Sequence, residues 1–157
     1  MTMELKFMNR AIELARHGME TNKGGPFGCV IVKDDTIIAE GFNRVTTEND
    51  PTSHAEIVAI RAACKVLKHF QLTGCEMYTS CEPCPMCLGA IYWARPDKVY
   101  YAAARTDAAN AGFDDDFIYH ELNIPHKNRR IPFIRIPNDE AIHVFKTWIK
   151  KENKVNY

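Results

Sequence analysis

The chain has 157 residues, a common size for one compact domain and long enough to bury a hydrophobic core without disulfide support. Its 20 basic and 20 acidic residues give a formal net charge of zero, which argues against general attraction to nucleic acid. The N-terminus lacks an apolar signal core, and no stretch approaches the roughly 18 apolar residues of a membrane span, so we expect a cytoplasmic protein without a membrane partner.

The first half of the chain is predicted to alternate helices and strands. Apolar spacing and turn residues predict, in order, a helix over 4–20, a loop over 22–28, a hairpin over 29–43, a polar loop over 46–52 and a helix over 53–70. The hairpin is predicted to turn at Asp34-Asp35, between two β-rich runs. The helix over 53–70 has the strongest pattern, because its apolar residues recur on one face.

The second half continues the alternation. We predict a strand over 75–80, a helix over 83–94, a strand over 97–104, short helices over 106–112 and 114–122, an extended segment over 129–137 and a helix over 138–153. Strands that alternate with helices indicate an α/β domain with helices on both faces of a sheet. We find no internal repeat or linker, so we expect a single domain over 1–157.

Three cysteines in the stretch TSCEPCPMCLGA raise the question of a metal site. Cys84 and Cys87 are three residues apart in the first turn of a predicted helix, so both sulfurs face one side. The helix dipole favours thiolates there, and thiolates are the form that binds zinc. Cys81 lies at the end of a predicted strand, because Pro83 pushes Glu82 towards an extended conformation.

His54 is the best candidate for a third ligand, at the head of the strongest helix. Three protein ligands leave a fourth position for water, which is typical of catalytic zinc. If Cys81 also bound, the site would be closed, and the protein would be a non-catalytic structural zinc module. Glu56, two residues after His54, could carry protons at the open position. It also fits a capping box with Ser53, so a purely structural role is the alternative.

The residues HAE at 54–56 and PCPMC at 83–87 form the H-x-E…P-C-x-x-C signature of zinc-dependent nucleobase deaminases. The chain resembles the cytidine and deoxycytidylate deaminase superfamily, and its wider context resembles the branch with bacterial guanine deaminases and tRNA adenosine deaminases. The resemblance implies a three-layer α/β/α fold with a mixed central sheet. It also implies one zinc ion per subunit on His54, Cys84 and Cys87, with Glu56 as general acid and base.

The resemblance also implies substrate contacts from the side chains of Asn43 and Phe27 and from the backbone N–H of Ala55. The segment RTDAANAGFDDDFIYHEL resembles guanine deaminases, in which an aspartate at the position of Asp115 reads the edge of the base. An ionised carboxylate only accepts hydrogen bonds, which suits the N–H groups of guanine. Asp114, Asp115 and Asp116 would also repel a nucleic-acid phosphate.

We therefore expect zinc-dependent hydrolysis of guanine to xanthine and ammonia, in purine salvage, with a small purine base as partner. The alternatives are a tRNA adenosine deaminase and a deaminase of guanosine or another aminated base. The resemblance further implies that Tyr157 covers the active site. It also implies that the segment from about 106 to 157 can be exchanged between two copies, which would give a homodimer.

Overall fold

The structure is a computed structural model that describes residues 2–113 and 115–157, with only the backbone of Asp116. The predicted repulsion of phosphate by Asp114 and by the Asp116 side chain therefore lies outside the described residues. The chain divides into two compact units, Met1–Asp116 and Phe117–Tyr157. Among the described residues, no helix combines the length and the apolar character that crossing a membrane requires.

The regular elements follow the predicted order. They are α1 (Met3–Glu20), β1 (Gly28–Lys33), β2 (Thr36–Phe42), α2 (Val45–Glu48), α3 (Ala55–Leu67), β3 (Cys75–Cys81), α4 (Pro85–Ala94), β4 (Lys98–Ala103), α5 (Arg105–Asn110), α6 (Asp116–Asn123), a 3₁₀ turn (His126–Asn128) and α7 (Asp139–Lys150). The predicted polar loop over 46–52 is partly wrong, because it opens with the single turn α2. That turn ends where Asn49 takes a left-handed φ of 50°.

The predicted hairpin is confirmed. Asp34 and Asp35 have φ values of 48° and 56°, and two successive left-handed residues form the turn that best matches the twist of paired strands. The sheet has the order β2-β1-β3-β4 within the described chain. Strand β1 pairs antiparallel with β2 and β3, whereas β3 and β4 are parallel and are connected through α4. The sheet is therefore mixed, as predicted.

Helices cover both faces of the sheet, which confirms the predicted three-layer α/β/α arrangement. On one face, Val30, Val32 and Tyr78 of the sheet join a buried cluster with Phe7 and Leu14 of α1. On the other face, alternate strand residues join a second cluster with α3 and α4: Cys29, Ile31, Ala39, Met77, Ala55, Ala59, Ala63, Ile91 and Ala94. The alternation follows from the period of two along a strand.

Helix α3 lies directly against the backbone of β2. A Cβ atom added to Gly41 would lie 2.3 Å from the carbonyl oxygen of Ala55, so only glycine allows this approach. A hydrogen bond from the N–H of Arg44 to the carbonyl oxygen of Ser53 (2.9 Å) ties the end of β2 to the residue before His54. These two contacts position the first turn of α3 beside the end of β2.

Candidate active site and metal centre

Three predicted metal ligands meet where two helices begin. His54 is the N-cap residue of α3, Cys84 is the N-cap residue of α4, and Cys87 lies in the first turn of α4. His54 Nδ1 lies 3.6 Å from Cys84 Sγ and 3.5 Å from Cys87 Sγ. The ligand atoms of the three residues all lie within 4.8 Å of one another. The structure thus brings together one imidazole nitrogen and two sulfurs, as the sequence predicts.

The spacing of these atoms fits zinc. Tetrahedral zinc with Zn–S of roughly 2.3 Å and Zn–N of roughly 2.0–2.1 Å places nitrogen and sulfur ligands about 3.6 Å apart. The two nitrogen–sulfur distances of 3.5 and 3.6 Å agree with that edge. Because the set supplies three ligands, it leaves one position of the tetrahedron for water or substrate.

The charges of the ligands are set by their mutual contacts. The pKa of Cys84 is lowered to about 4, first by its hydrogen bond with Cys87 and then by the one with His54. The pKa of Cys87 is raised, first by its interaction with the sulfur of Cys84 and then by burial. The hydrogen bond to Cys84 also raises the pKa of His54 above its ordinary value. These contacts favour the thiolate at Cys84 over the thiolate at Cys87.

These pKa shifts predict a bent pH dependence of zinc affinity. Above the raised pKa of His54, zinc displaces only the Cys87 proton, so affinity should fall about tenfold for each pH unit downwards. Below that pKa, zinc also displaces the His54 proton, and the fall should steepen to about a hundredfold per unit. Competition titrations against a chelator between about pH 5 and 8 measure this slope. A slope that stays at about tenfold per pH unit down to pH 5 would contradict the assignment of His54 as a ligand.

Cys81 lies beside the centre but outside the ligand set. It ends β3, its side chain is buried, and its Sγ lies 3.7 Å from the carbonyl oxygen of Ala104. Burial raises the pKa of its thiol to about 11. Among the described residues, its sulfur lies outside the group of ligand atoms that are within 4.8 Å of one another, so the geometry favours an open three-ligand centre over the closed alternative with Cys81.

We expect Cys81→Ala to keep one zinc ion per chain, because the substitution removes a small buried side chain and no ligand. Cys84→Ala is the matched control, because it makes the same substitution three residues away but removes a predicted ligand, and it should lose zinc. Metal analysis after dialysis against a weak chelator compares the two variants. Loss of zinc from Cys81→Ala at the level of Cys84→Ala would restore the closed, structural centre.

Glu56 lies at the second position of α3, with its side chain buried. The thiol of Cys87 donates to Glu56 Oε2 over 3.5 Å, and burial raises the pKa of the carboxyl. The alternative capping box is wrong, because the N-cap residue is His54 rather than Ser53. The Ser53 hydroxyl instead lies 2.6 Å from Glu48 Oε2 and 3.0 Å from Asp50 Oδ2. Glu56 is thus buried beside the ligands and does not cap the helix.

A cavity of about 260 Å³ opens over this centre. Its lining includes the predicted site residues Phe27, Asn43, His54, Glu56, Cys84 and Asp115. Ala55 is fully buried at the first position of α3, where backbone N–H groups have no partner within the helix. Tyr157 belongs to the second unit, where its side chain is exposed, and its covering role stays a prediction.

The amide of Asn43 is held in one orientation. Its Oδ1 accepts hydrogen bonds from the N–H groups of Gly25 (3.2 Å) and Val45 (3.3 Å). The amide nitrogen is a donor on the other branch of the side chain, so a ligand in the cavity meets a donor at this position. The loop before β1 approaches this residue closely, since a Cβ on Gly24 would lie 1.9 Å from the carbonyl oxygen of Asn43.

Four cavity residues were missed by the sequence analysis: Glu82, Arg105, Ala108 and Phe113. Phe113 packs edge to face on Phe27, with ring centroids 4.9 Å apart. Its place two residues before Asp115 was the available signal. Arg105 and Ala108 lie on the predicted short helix α5, but no residue pattern in the sequence indicates that this helix lines the cavity beside the metal ligands.

Comparison with known proteins agrees with this site. Residues 1–103 match the family described as the cytidine and deoxycytidylate deaminase zinc-binding region. Guanine deaminase of Bacillus subtilis is 60% identical over 151 residues, which are 96% of this chain and 97% of that protein. An X-ray structure of guanine deaminase from the same organism has a TM-score of 0.95 at 59% identity and covers 97% of both chains. A tRNA-specific adenosine deaminase of Aquifex aeolicus is 34% identical over 145 residues, 92% of this chain and 93% of that protein.

Proposed function

The chain belongs to the cytidine and deoxycytidylate deaminase family, and from that premise we propose that it hydrolyses guanine to xanthine and ammonia. One observation carries the proposal: a single cavity is lined by the zinc-ligand candidates His54 and Cys84, by Glu56 and by the base-reading candidate Asp115, and the third ligand candidate, Cys87, lies directly beside them. The high identity to a guanine deaminase along nearly the whole chain supports the same substrate. The reaction belongs to purine salvage.

Zinc, when bound, supplies a position at which water loses a proton near neutral pH. Glu56 would accept that proton and deliver it to the ring nitrogen beside the carbon under attack. It would then take the remaining proton of the added hydroxyl group and pass it to the amine, so that the C–N bond breaks, the carbonyl forms and ammonia leaves. Its buried position near Cys87 keeps bulk water away from the carboxylate and holds it next to the ligands.

The polar groups of the cavity complement guanine. Asn43 would donate through its amide nitrogen to an acceptor of the base, while Asp115 would accept from the N–H groups on the opposite edge. The ring of Phe27, braced by Phe113, would pack on the purine. The N–H of Ala55 lies in the first helical turn, where amides have no partner within the helix, and it would stabilise the oxygen that develops negative charge.

The size of the cavity favours a free base. Its volume of about 260 Å³ lies below the roughly 300–1,000 Å³ of pockets for drug-sized ligands. A nucleoside adds a ribose, and a tRNA adds phosphates that Asp115 at the lining would repel. Guanine is therefore a better fit than guanosine or an anticodon loop.

We place the enzyme in the cytoplasm, with one deaminase domain per chain. We also propose that it forms a homodimer in which the two copies exchange the C-terminal segment from about residue 106 to 157. Apolar side chains of the second unit are exposed, and a second copy would cover them: Ile131, Phe133, Ile134, Ile136, Val144, Phe145 and Ile149. Tyr157 would then reach the active site as a lid. The six free cysteines, two of them metal ligands, favour a reducing compartment.

An ammonia-release screen tests the proposed substrate. The purified zinc enzyme is offered guanine, guanosine, adenine, cytosine, cytidine and a tRNA anticodon hairpin at equal concentration. We expect guanine to give the highest kcat/KM. A higher value for the hairpin would replace the proposal with a tRNA adenosine deaminase, and no release from any compound would replace it with a structural zinc module.

A further inference from the structure

Glu82 has contacts that proton transfer and metal binding do not explain. It lies between Cys81 and Pro83, is half-buried, and lines the same cavity as Glu56. Its backbone N–H donates to the carbonyl oxygen of Ala103 over 2.8 Å, and its Oε2 accepts the backbone N–H of Arg105 over 3.1 Å. We call residues 82–84, between β3 and α4, the ligand loop, because they lead to the ligand Cys84. Glu82 of this loop holds both the last residue of β4 and the first residue of α5.

The start of α5 is held by two carboxylate acceptors, one from within the helix and one from outside it. The first N–H groups of any helix lack partners within it, so carboxylates near them are stabilising. Asp107 Oδ2 accepts the N–H of Ala104 over 2.8 Å, and Glu82 supplies the acceptor for the next amide. Cys81 Sγ adds a contact of 3.7 Å to the carbonyl oxygen of Ala104. The beginning of α5 is therefore fastened to the loop that precedes the ligand Cys84.

The chain that begins at this point leads to the base-reading candidate. We call residues 104–113 together with Asp115 the base-reading segment. Its far end is fixed by Phe113, which packs edge to face on Phe27 at 4.9 Å between ring centroids. Three of its residues before Asp115 line the cavity: Arg105, Ala108 and Phe113. The segment is thus attached to the ligand loop at one end and to the loop before β1 at the other.

We infer that Glu82 is a positioning residue, which sets the affinity for the purine base by holding the base-reading segment at a fixed distance from the metal ligands. The inference rests on the proposed function. A carboxylate that fastens Arg105 acts on the base through Asp115, so its loss weakens base binding more than the chemical step. A carboxylate that shuttled protons would act on the chemical step instead.

Three substitutions at one position separate these roles. Glu82→Ala removes the acceptor, Glu82→Gln keeps an oxygen that can accept the Arg105 N–H, and Glu82→Asp keeps the charge but is one methylene short. For guanine we expect Glu82→Ala to raise KM about tenfold with kcat within about twofold. Glu82→Gln should stay within about threefold in KM. If Glu82→Ala does not fold, Glu82→Asp serves instead. Its shorter side chain should weaken the hydrogen bond to the Arg105 N–H, so KM should rise by less than the tenfold expected for Glu82→Ala.

Two further measurements do not depend on turnover. Hydrogen–deuterium exchange of the zinc enzyme should show faster exchange in the peptide over 104–113 for Glu82→Ala but not for Glu82→Gln. Zinc content should stay at one ion per chain in all variants. In an Asp115→Asn background, Glu82→Ala should change KM by less than about twofold, because both substitutions act on one interaction.

The contrary outcomes are distinct. Equal loss of kcat in Glu82→Ala and Glu82→Gln would make Glu82 a proton carrier, and loss of zinc would make it a support of the metal centre. Full additivity with Asp115→Asn, or unchanged exchange over 104–113, would overturn the coupling. Failure of the wild-type chain to deaminate guanine would instead remove the proposed function, while the exchange and zinc measurements would still decide whether Glu82 fastens the segment.

Discussion

Glu56→Gln should retain one zinc ion per chain and lose roughly 10²–10⁴-fold in kcat for guanine, the range that general acid–base catalysis contributes. Glutamine has nearly the same shape as glutamate but cannot take the proton from the attacking water. The Glu56 side chain is buried, and its Oε2 accepts a hydrogen bond from the Cys87 thiol over 3.5 Å. Because glutamine fills the same space and also has a side-chain oxygen, the variant should keep the packing of the site. KM should change much less than kcat, because the lost interaction arises during the reaction.

The control for this experiment is Glu13→Gln. Glu13 lies on α1 with a largely exposed side chain and an ion pair to Arg10, and exposed pairs contribute little. This variant should match the wild-type enzyme in kcat, KM and zinc content. If Glu56→Gln also kept its activity, the proton shuttle would have to be assigned to another group. If it lost zinc, the loss of activity would say nothing about proton transfer.

Asp115→Asn should reduce kcat/KM for guanine by roughly a hundredfold while leaving zinc bound. The carboxylate offers two acceptor oxygens to the N–H groups of guanine, whereas the amide offers one acceptor and one donor group. One donor of the base would then face another donor inside the cavity. The penalty falls on binding of both ground state and transition state, so KM should rise.

Asp35→Asn is the matched control for the base-reading aspartate. Asp35 occupies the hairpin turn with a left-handed φ of 56°, a conformation that asparagine also tolerates. The same chemical change there should leave kcat/KM unaltered. An unchanged kcat/KM for Asp115→Asn as well would remove this residue from base recognition, even though it lines the cavity.

Local patterns were sufficient to predict most of the fold and the metal centre. The helices α1, α3 and α7 follow apolar spacing, and the hairpin follows its turn residues. The ligand set follows from His54 and from the two cysteines at the start of α4, one at the N-cap and one in the first turn. These features depend on residues that are close in sequence or on a motif with fixed spacing. The mixed character of the sheet came from the resemblance, and the order of its strands was not predicted.

Features that depend on the folded path of the chain rather than on a residue pattern could not be predicted. The hydroxyl of Ser53 has the right type and position for a capping box, yet it binds the carboxylates of Glu48 and Asp50 because the turn α2 brings them near. The sequence indicates no role for Glu82, beyond the extended conformation towards which Pro83 pushes it. Its role arises only when β4 pairs with β3 and places Arg105 beside it.

The two buried clusters on the faces of the sheet have a consequence for how the cell can use this protein. They consist of aliphatic, aromatic and non-ligand cysteine side chains, so the core does not need metal to form. Small zinc domains unfold when the ion is removed, because binding supplies their folding energy. This chain should instead persist as a folded reserve and gain activity when zinc becomes available, which would link purine breakdown to metal supply without new protein synthesis.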